Sequence, residues 1–211
     1  MPAPVRPLTP IEARVLGVLV EKEQTVPDSY PMSLNGIVTG SNQKTSRSPL
    51  MEIGEADAQA ALDELKGLSL VVESSGGRVM RYAHNVPRAL AIPTESAAIV
   101  ATLMLRGPQT PGELRINTER LHRFADISSI EAYLAELAAR PAGALVVELA
   151  RAPGAREQRW AHLLSGAPAA ATAEAAANGD ASPGHDRLAA LENRVERLEQ
   201  ALAALAASRA T

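Results

Sequence analysis

The side chains best suited to chemistry in this sequence are cations that could hold a phosphate group. Residues 42–49 read NQKTSRSP and offer amides, hydroxyls, Lys44 and Arg47. Such side chains contact phosphates and base edges in nucleic-acid complexes. Further cations lie on two predicted hairpins and beside a predicted helix: Arg78, Arg81, Arg115, Arg156 and Arg159. The pattern predicts contacts to a nucleic-acid backbone; the alternative is that these arginines pair with neighbouring acids or solubilise the hairpins.

The sequence carries no enzyme signature. It has no phosphate-cradling glycine loop and no Gly-x-Ser-x-Gly motif. The four histidines, His84, His122, His162 and His185, form no His-x-x-x-His pair. His122 and Asp126 are four residues apart, but two ligands in a predicted loop are too few for a metal site. Without cysteine there is no disulfide, thiolate zinc site or cysteine nucleophile. We predict a protein that is not an enzyme and uses no cofactor or metal.

Composition and charge are those of an ordinary globular protein. The chain has 211 residues, 46% of them hydrophobic and 2% aromatic, with a formal net charge of -3. The scarcity of aromatic residues predicts a core of Leu, Val, Ile and Ala, and no segment is strongly basic. The first ten residues have no apolar run, and no stretch is long enough to span a membrane. We expect a cytoplasmic protein with no membrane partner.

The sequence contains an internal repeat. Residues 70–73, LVVE, recur as residues 145–148, each time after a helical pattern and before a turn that contains glycine. The turns lead into RVMRYAH at residues 78–84 and REQRWAH at residues 156–162. Arg, Arg, an aromatic residue, Ala and His keep their places in both. The repeat predicts two copies of one structural unit.

Each copy has the order helix, helix, helix, strand, turn, strand, which is the layout of a winged helix. The predicted helices cover residues 10–23, 33–41, 55–66, 95–105, 111–118 and 129–139, and the predicted strands cover residues 70–74, 79–84, 145–149 and 158–163. Capping boxes at Thr9 and Thr110 support two of the helix starts. Pro87 and Pro93 indicate a short linker between the copies.

The fold class is therefore predicted to be α+β and mainly helical, with two tandem winged-helix domains. The predicted segments are winged-helix domain 1 at residues 1–90, winged-helix domain 2 at 91–166, a flexible Ala/Pro/Gly-rich linker at 167–184 and a heptad-repeat helix at 185–211.

Apolar residues near the C-terminus recur at alternating intervals of three and four, as in a coiled-coil seam. They are Leu188, Leu191, Val195, Leu198, Leu202 and Leu205. In a parallel pair, arginines at g positions would face glutamates at e positions of the partner. We predict a homo-oligomer formed through this helix. The alternative is an amphipathic helix that folds back on its own chain.

The third predicted helix of each copy is acidic. The acidic side chains are Glu55, Asp57, Asp63 and Glu64 in the first copy and Glu131 and Glu136 in the second. The third helix of a DNA-reading winged helix usually enters the major groove, where carboxylates would face phosphates. This charge distribution disfavours groove reading and leaves contacts through the loop and the hairpins.

Three segments together resemble the YceH-like family of bacterial proteins. They are residues 35–39 with 42–49 (NGIVT, NQKTSRSP), residues 105–115 (LRGPQTPGELR), and residues 153–160 with 162–163 (PGAREQRW, HL). The resemblance covers about residues 8–166 and implies tandem winged-helix domains. It implies no catalytic residue, since the family has no established activity. Gly40-Ser41 stands where Ala-Cys is common, and Gly54 stands where a serine cap is common.

The leading hypothesis is a non-enzymatic protein that associates with double-stranded DNA or regulates through its basic loop and hairpins. The alternative is a protein-interaction module that docks a basic partner through the acidic third helices. A third possibility, a ligand-sensing regulator, requires a pocket between the two copies.

Overall fold

The computed structural model describes residues 6–75, 79–151 and 154–168. This part of the chain is α+β and mainly helical, as predicted. Its helices are α1 (Pro10–Thr25), α2 (Leu34–Ser41), α3 (Glu55–Gly67), α4 (Val86–Leu90), α5 (Thr94–Arg106), α6 (Pro111–Asn117) and α7 (Ile127–Ala138). Its strands are β1 (Met32–Ser33), β2 (Val71–Ser74), β3 (Arg81–His84), β4 (Val146–Glu148) and β5 (Trp160–His162).

Two helices begin with the capping boxes that the sequence predicts. At α1 the Thr9 hydroxyl accepts a hydrogen bond from the Glu12 amide at 3.2 Å, and the Glu12 carboxylate accepts one from the Thr9 amide at 3.0 Å. Thr110 and Glu113 form the same pair at α6, at 3.2 and 2.9 Å. Each box gives two otherwise unpaired backbone amides a partner, which fixes where the helix begins.

The two hairpins have the same register, so the repeated strand segments occupy equivalent positions. Tyr82 of β3 pairs with Glu73 of β2, and Trp160 of β5 pairs with Glu148 of β4, so equivalent residues face each other. A further backbone segment pairs with the second strand of each hairpin, along the edge opposite the first strand. Strand β1 pairs with Tyr82 through Met32, and an isolated bridge joins Gln109 to Trp160. The sequence analysis did not predict these added segments.

The prediction that residues 85–93 form a simple linker between the two copies is wrong in part. Residues 86–90 form α4, and Val86, Leu90 and the following Ile92 are buried in the hydrophobic core. Pro87 does not interrupt α4 because it occupies the first turn, where its missing amide hydrogen has no helical acceptor in any case. Segment 85–93 therefore packs into the protein.

Helices α1 and α5 lie side by side at the centre of the described residues. Leu16 and Leu19 of α1 and Ile99 and Leu103 of α5 are completely buried in one core that draws on both copies. Gly17 allows the close approach, since a Cβ atom there would lie 3.0 Å from Cγ of Leu105 on α5. No helix in these residues has the length and apolar character needed to cross a membrane.

Candidate functional site

Arg47 is buried inside the protein, although the sequence predicted that it contacts a phosphate. Its side chain is 0% exposed, and its Nη2 and Nη1 atoms lie 2.6 and 3.1 Å from the two carboxylate oxygens of Glu21. Its Nε and Nη2 atoms also donate to the carbonyl oxygen of Gly40, at 3.1 and 2.9 Å. Because its donors are used internally, Arg47 cannot reach a nucleic acid in this structure. Its role is to hold the loop at residues 42–49 onto α1 and α2.

Arg47 favours the charged form of the Glu21 carboxylate. Burial by itself would raise the pKa of Glu21, but hydrogen bonds and positive charge from Arg47 outweigh this effect. The pKa of Glu21 therefore lies below its usual value. Lys22 also favours the charged form of Glu21, because its Nζ lies 3.2 Å from Oε2 of that carboxylate. A buried charge is tolerable only with such partners.

A second buried arginine supports the same loop. Arg14 lies on α1, where its Nη1 donates to the Ser41 carbonyl at 3.1 Å and its Nη2 donates to the Pro49 carbonyl at 2.5 Å. Burial lowers the pKa of Arg14, and the nearby charge of Arg47 lowers it further. The sequence analysis missed this residue. The available signal was a lone cation in the apolar stretch that forms most of α1.

The hairpin arginines Arg81 and Arg159 have equivalent structural contacts. Nη1 of Arg81 donates to the Pro31 carbonyl at 2.9 Å, and Nη1 of Arg159 donates to the Pro108 carbonyl at 2.9 Å. Nη2 of Arg159 also lies 2.9 Å from Oε1 of Glu113. In each copy this arginine fastens the hairpin to the segment that precedes the second helix. Both side chains remain at the surface, so a nucleic-acid contact is an additional prediction for them.

Three predicted contact residues are exposed and have no carboxylate within 4.0 Å in the described part of the chain. They are Lys44 in the loop, Arg115 on α6 and Arg156 on the second hairpin. Arg115 makes one long hydrogen bond, 3.5 Å, to the Ala125 carbonyl. Arg78 lies outside the described residues. Among the described candidates, the buried contacts of Arg47 remove it from the set of cations that face solvent.

The acidic side chains of α3 all point outward. Glu55, Asp57, Asp63 and Glu64 are exposed. Oδ1 of Asp63 lies 2.9 Å from Nζ of Lys66 on the same helix. Oε2 of Glu64 lies 2.8 Å from Nη2 of Arg6, which precedes α1. Within the described ranges, Glu55 and Asp57 have no cation within 4.0 Å. On α7 the equivalent acidic residues, Glu131 and Glu136, are exposed as well.

Residues of both copies line a small cleft at the surface. Its volume is about 140 Å³, and its polar lining includes Glu23, His84 and His122. Nε2 of His84 lies 2.9 Å from a carboxylate oxygen of Glu23, and the His122 ring packs edge-on against Phe124. Among the described residues, no three His, Cys, Asp or Glu side chains are placed to hold a metal ion. At this volume the cleft is smaller than most pockets for small-molecule ligands, and ligand sensing stays a prediction.

The predicted coiled-coil residues lie outside the described part of the chain. This applies to Leu188, Leu191, Val195, Leu198, Leu202 and Leu205 and to nearly all of the predicted linker. The homo-oligomer therefore stays a prediction from the sequence pattern.

Comparison with known proteins places the chain in a family. A family model described as a protein of unknown function, DUF480, matches residues 8–155. The chain belongs to the DUF480 family. It is 63% identical over 167 residues to a UPF0502 protein of Cupriavidus necator, covering 79% of this chain and 68% of that protein. It is 56% identical over 201 residues to a UPF0502 protein of Dechloromonas aromatica, covering 95% and 93%.

The DUF480 match covers most of the region in which the sequence resembles the YceH-like family. The relatives bear the name UPF0502, so the narrower YceH-like label stays a prediction. The family description brings no activity and no site residue to this chain. The function must therefore be argued from the surfaces of the DUF480 fold itself.

Proposed function

We propose that this protein is a non-enzymatic, cytoplasmic tandem winged-helix protein that docks a basic protein partner through α3. The docking surface consists of Glu55, Asp57, Asp63 and Glu64, which we call the α3 acidic surface. The partner is identified only by chemistry: a protein segment rich in Lys or Arg.

The winged-helix assignment is supported by element order and strand register. Three helices precede an antiparallel hairpin in each copy, and the hairpins pair equivalent residues. In such a unit the third helix is the element most often presented to a partner. Helix α3 fits this role because its N-terminal and outward positions face solvent.

The observation that carries the docking proposal is the contrast between α3 and the loop before it. The α3 acidic surface is exposed, whereas Arg47, the cation expected beside it, is buried against Glu21. A DNA backbone would meet carboxylates at α3 and would release few counterions there. A basic protein segment would instead meet complementary charge, which favours encounter and orientation.

The test is charge reversal on α3 in the full-length protein. In Glu55→Lys combined with Asp57→Lys, we expect co-purification of the partner to fall by at least about tenfold, because like charges then meet across the interface. Glu55 and Asp57 are exposed and have no ion pair in the described residues; their reversal removes favourable charge from the first turn of α3, at about 0.3–1 kcal/mol each, so thermal unfolding of the variant checks the fold. Cross-linking with mass spectrometry would locate the contact.

The matched control is Asp28→Lys, an exposed acidic residue outside α3. It changes net charge in the same direction without touching the α3 acidic surface. Equal recovery of the partner with the parent, the α3 double variant and the Asp28→Lys control would contradict the proposal. Equal loss in the control would show that overall charge, and not α3, governs the interaction.

DNA binding is the second candidate, supported by the exposed cations Lys44, Arg115 and Arg156. The test is fluorescence anisotropy of a mixed-sequence duplex with the full-length protein, titrated with salt. Phosphate contacts predict affinity that falls steeply with salt on a log–log plot. In Lys44→Glu with Arg115→Glu the slope should become shallower. Absence of binding at low salt would contradict a general affinity for DNA.

We also propose that the heptad segment at residues 185–211 joins chains into a homo-oligomer. Each added chain would bring a further α3 acidic surface and further hairpins. Weak single contacts could then combine into stronger binding where geometry permits simultaneous engagement.

A further inference from the structure

A second cleft lies where the loop at residues 42–49 meets the C-terminal end of α5 and the turn after α6. Its volume is about 70 Å³. Ser46 from the loop, Arg106 from α5 and Asn117 and Arg120 from the α6 region line it. Both copies of the repeat therefore contribute to its walls, and Arg106 and Arg120 are the side chains in its lining that only donate hydrogen bonds.

Arg106 lacks a carboxylate partner in this cleft. Its Nη2 atom donates to Oγ of Ser46 at 2.7 Å, and no carboxylate in the described residues lies within 4.0 Å of its guanidinium. Burial lowers the pKa of Arg106; the negative charge of Glu21 opposes this effect, and the positive charge of Arg47 adds to it. The guanidinium is thus partly removed from water without a bonded counterion, an arrangement that an anion would relieve.

The one carboxylate in the cleft wall is already neutralised. Glu21 accepts both hydrogen bonds from Arg47 and has Lys22 at 3.2 Å. The positive charges of Arg106 and Arg120 have no carboxylate within 4.0 Å in the described residues. Ser46 accepts from Arg106, so its own hydroxyl hydrogen remains able to donate, and that hydrogen has no acceptor in the described residues.

We propose that this cleft binds a phosphoryl or similar oxyanion group. Arg106 and Arg120 supply the positive charge, and the Ser46 hydroxyl supplies a neutral donor. Because both copies build the site, a bound anion would strengthen the packing of the loop against α5. The proposal does not rest on docking at α3.

The test is isothermal titration calorimetry of the full-length protein with inorganic phosphate at constant ionic strength. We expect saturable binding of one phosphate per chain. Arg120→Gln should weaken it by about tenfold or more, because one charge-assisted contact is removed. Arg120 is exposed, so the variant should fold, and thermal unfolding without phosphate checks this.

The matched control is Arg123→Gln, which removes a neighbouring arginine outside the cleft. Its side chain is 84% exposed and lies 3.7 Å from Glu119. We expect phosphate affinity to stay within about twofold of the parent, because Arg123 does not line the cleft and salt screens its exposed charge. No saturable binding by the parent, or equal affinity in the Arg120 variant, would overturn the proposal.

Competition identifies the source of the phosphoryl group. Displacement of phosphate by adenosine monophosphate would assign the cleft to a small phosphorylated ligand. Displacement by duplex DNA alone would assign it to a nucleic-acid backbone. Either result supports the site and names its ligand class.

Discussion

The Nη2 atom of Arg47 lies 2.6 Å from a carboxylate oxygen of Glu21, inside the protein. This relationship changes the meaning of the polar loop at residues 42–49. The composition of residues 42–49 suits phosphate contact, but Arg47 instead fastens this loop to α1. Lys44, three positions earlier, is the loop cation that faces solvent.

Replacing Arg47 should destabilise the fold. In Arg47→Gln the Glu21 carboxylate, 14% exposed, loses its main partner and keeps only Lys22. Breaking a fully buried ion pair typically costs about 3–5 kcal/mol, which is the upper limit here. We therefore expect a large drop in the free energy of unfolding, measured by urea denaturation followed by circular dichroism. Any loss of phosphate binding in this variant should be proportional to the fraction of protein that is unfolded.

Lys44→Gln is the control within the same loop. It removes a cation of similar size from an exposed position, so the free energy of unfolding should change by no more than about 0.5 kcal/mol. A similar loss of stability in both variants would contradict the assignment of the buried role to Arg47 alone.

The hairpins and most helices were predictable because their signals are local. Repeated strand segments and glycine-containing turns predict β2–β3 and β4–β5, and Thr9 and Thr110 fix helix starts through neighbours three positions away. The repeat adds a second copy of each signal. The sequence predicted no register; the structure supplies it, with Tyr82 opposite Glu73 and Trp160 opposite Glu148.

The role of each arginine was not predictable in the same way. Arg47 and Lys44 share one loop, and only the position of Glu21 on α1, distant in sequence, decides which is buried. Arg106 and Ser46 meet across 60 positions of chain for the same reason. Composition identifies which side chains could bind a phosphate, whereas tertiary packing determines which are free to do so.

Ser41 gives a prediction of increased stability. Its side chain is completely buried, and its hydroxyl oxygen has no hydrogen-bond partner in the described residues. Ser41→Ala should raise the free energy of unfolding by about 1 kcal/mol, because the cost of an unsatisfied polar group disappears. Thermal and urea unfolding measure the change. Thr39→Ala, on the exposed side of α2, is the control and should have a smaller effect; equal gains would indicate helix propensity as the cause.

The heptad pattern predicts that residues 167–211 determine oligomeric state. Deleting them should lower the solution mass, measured by light scattering after gel filtration, to that of one chain. Leu198→Glu in the full-length protein should act in the same direction, since a charge in a coiled-coil seam opposes association. An oligomer that survives the deletion would place the interface elsewhere.

His162 predicts a pH dependence of stability. Burial lowers its pKa from 6.5 to about 4, and its Nδ1 atom has no hydrogen-bond partner within the described residues. Between these values the unfolded chain binds a proton that the folded protein does not bind. The associated stability is therefore complete above pH 6.5 and is lost as the pH falls towards 4.

Urea unfolding across this range should show a decline in the parent that is reduced in His162→Gln. The glutamine removes the titrating group while keeping a polar side chain. The carboxylate of Glu21, whose pKa lies below its usual 4.5, contributes its own loss only at lower pH, so the two effects separate. Identical pH profiles in parent and variant would show that His162 titrates alike in the folded and unfolded chains, and burial would then not govern its proton affinity.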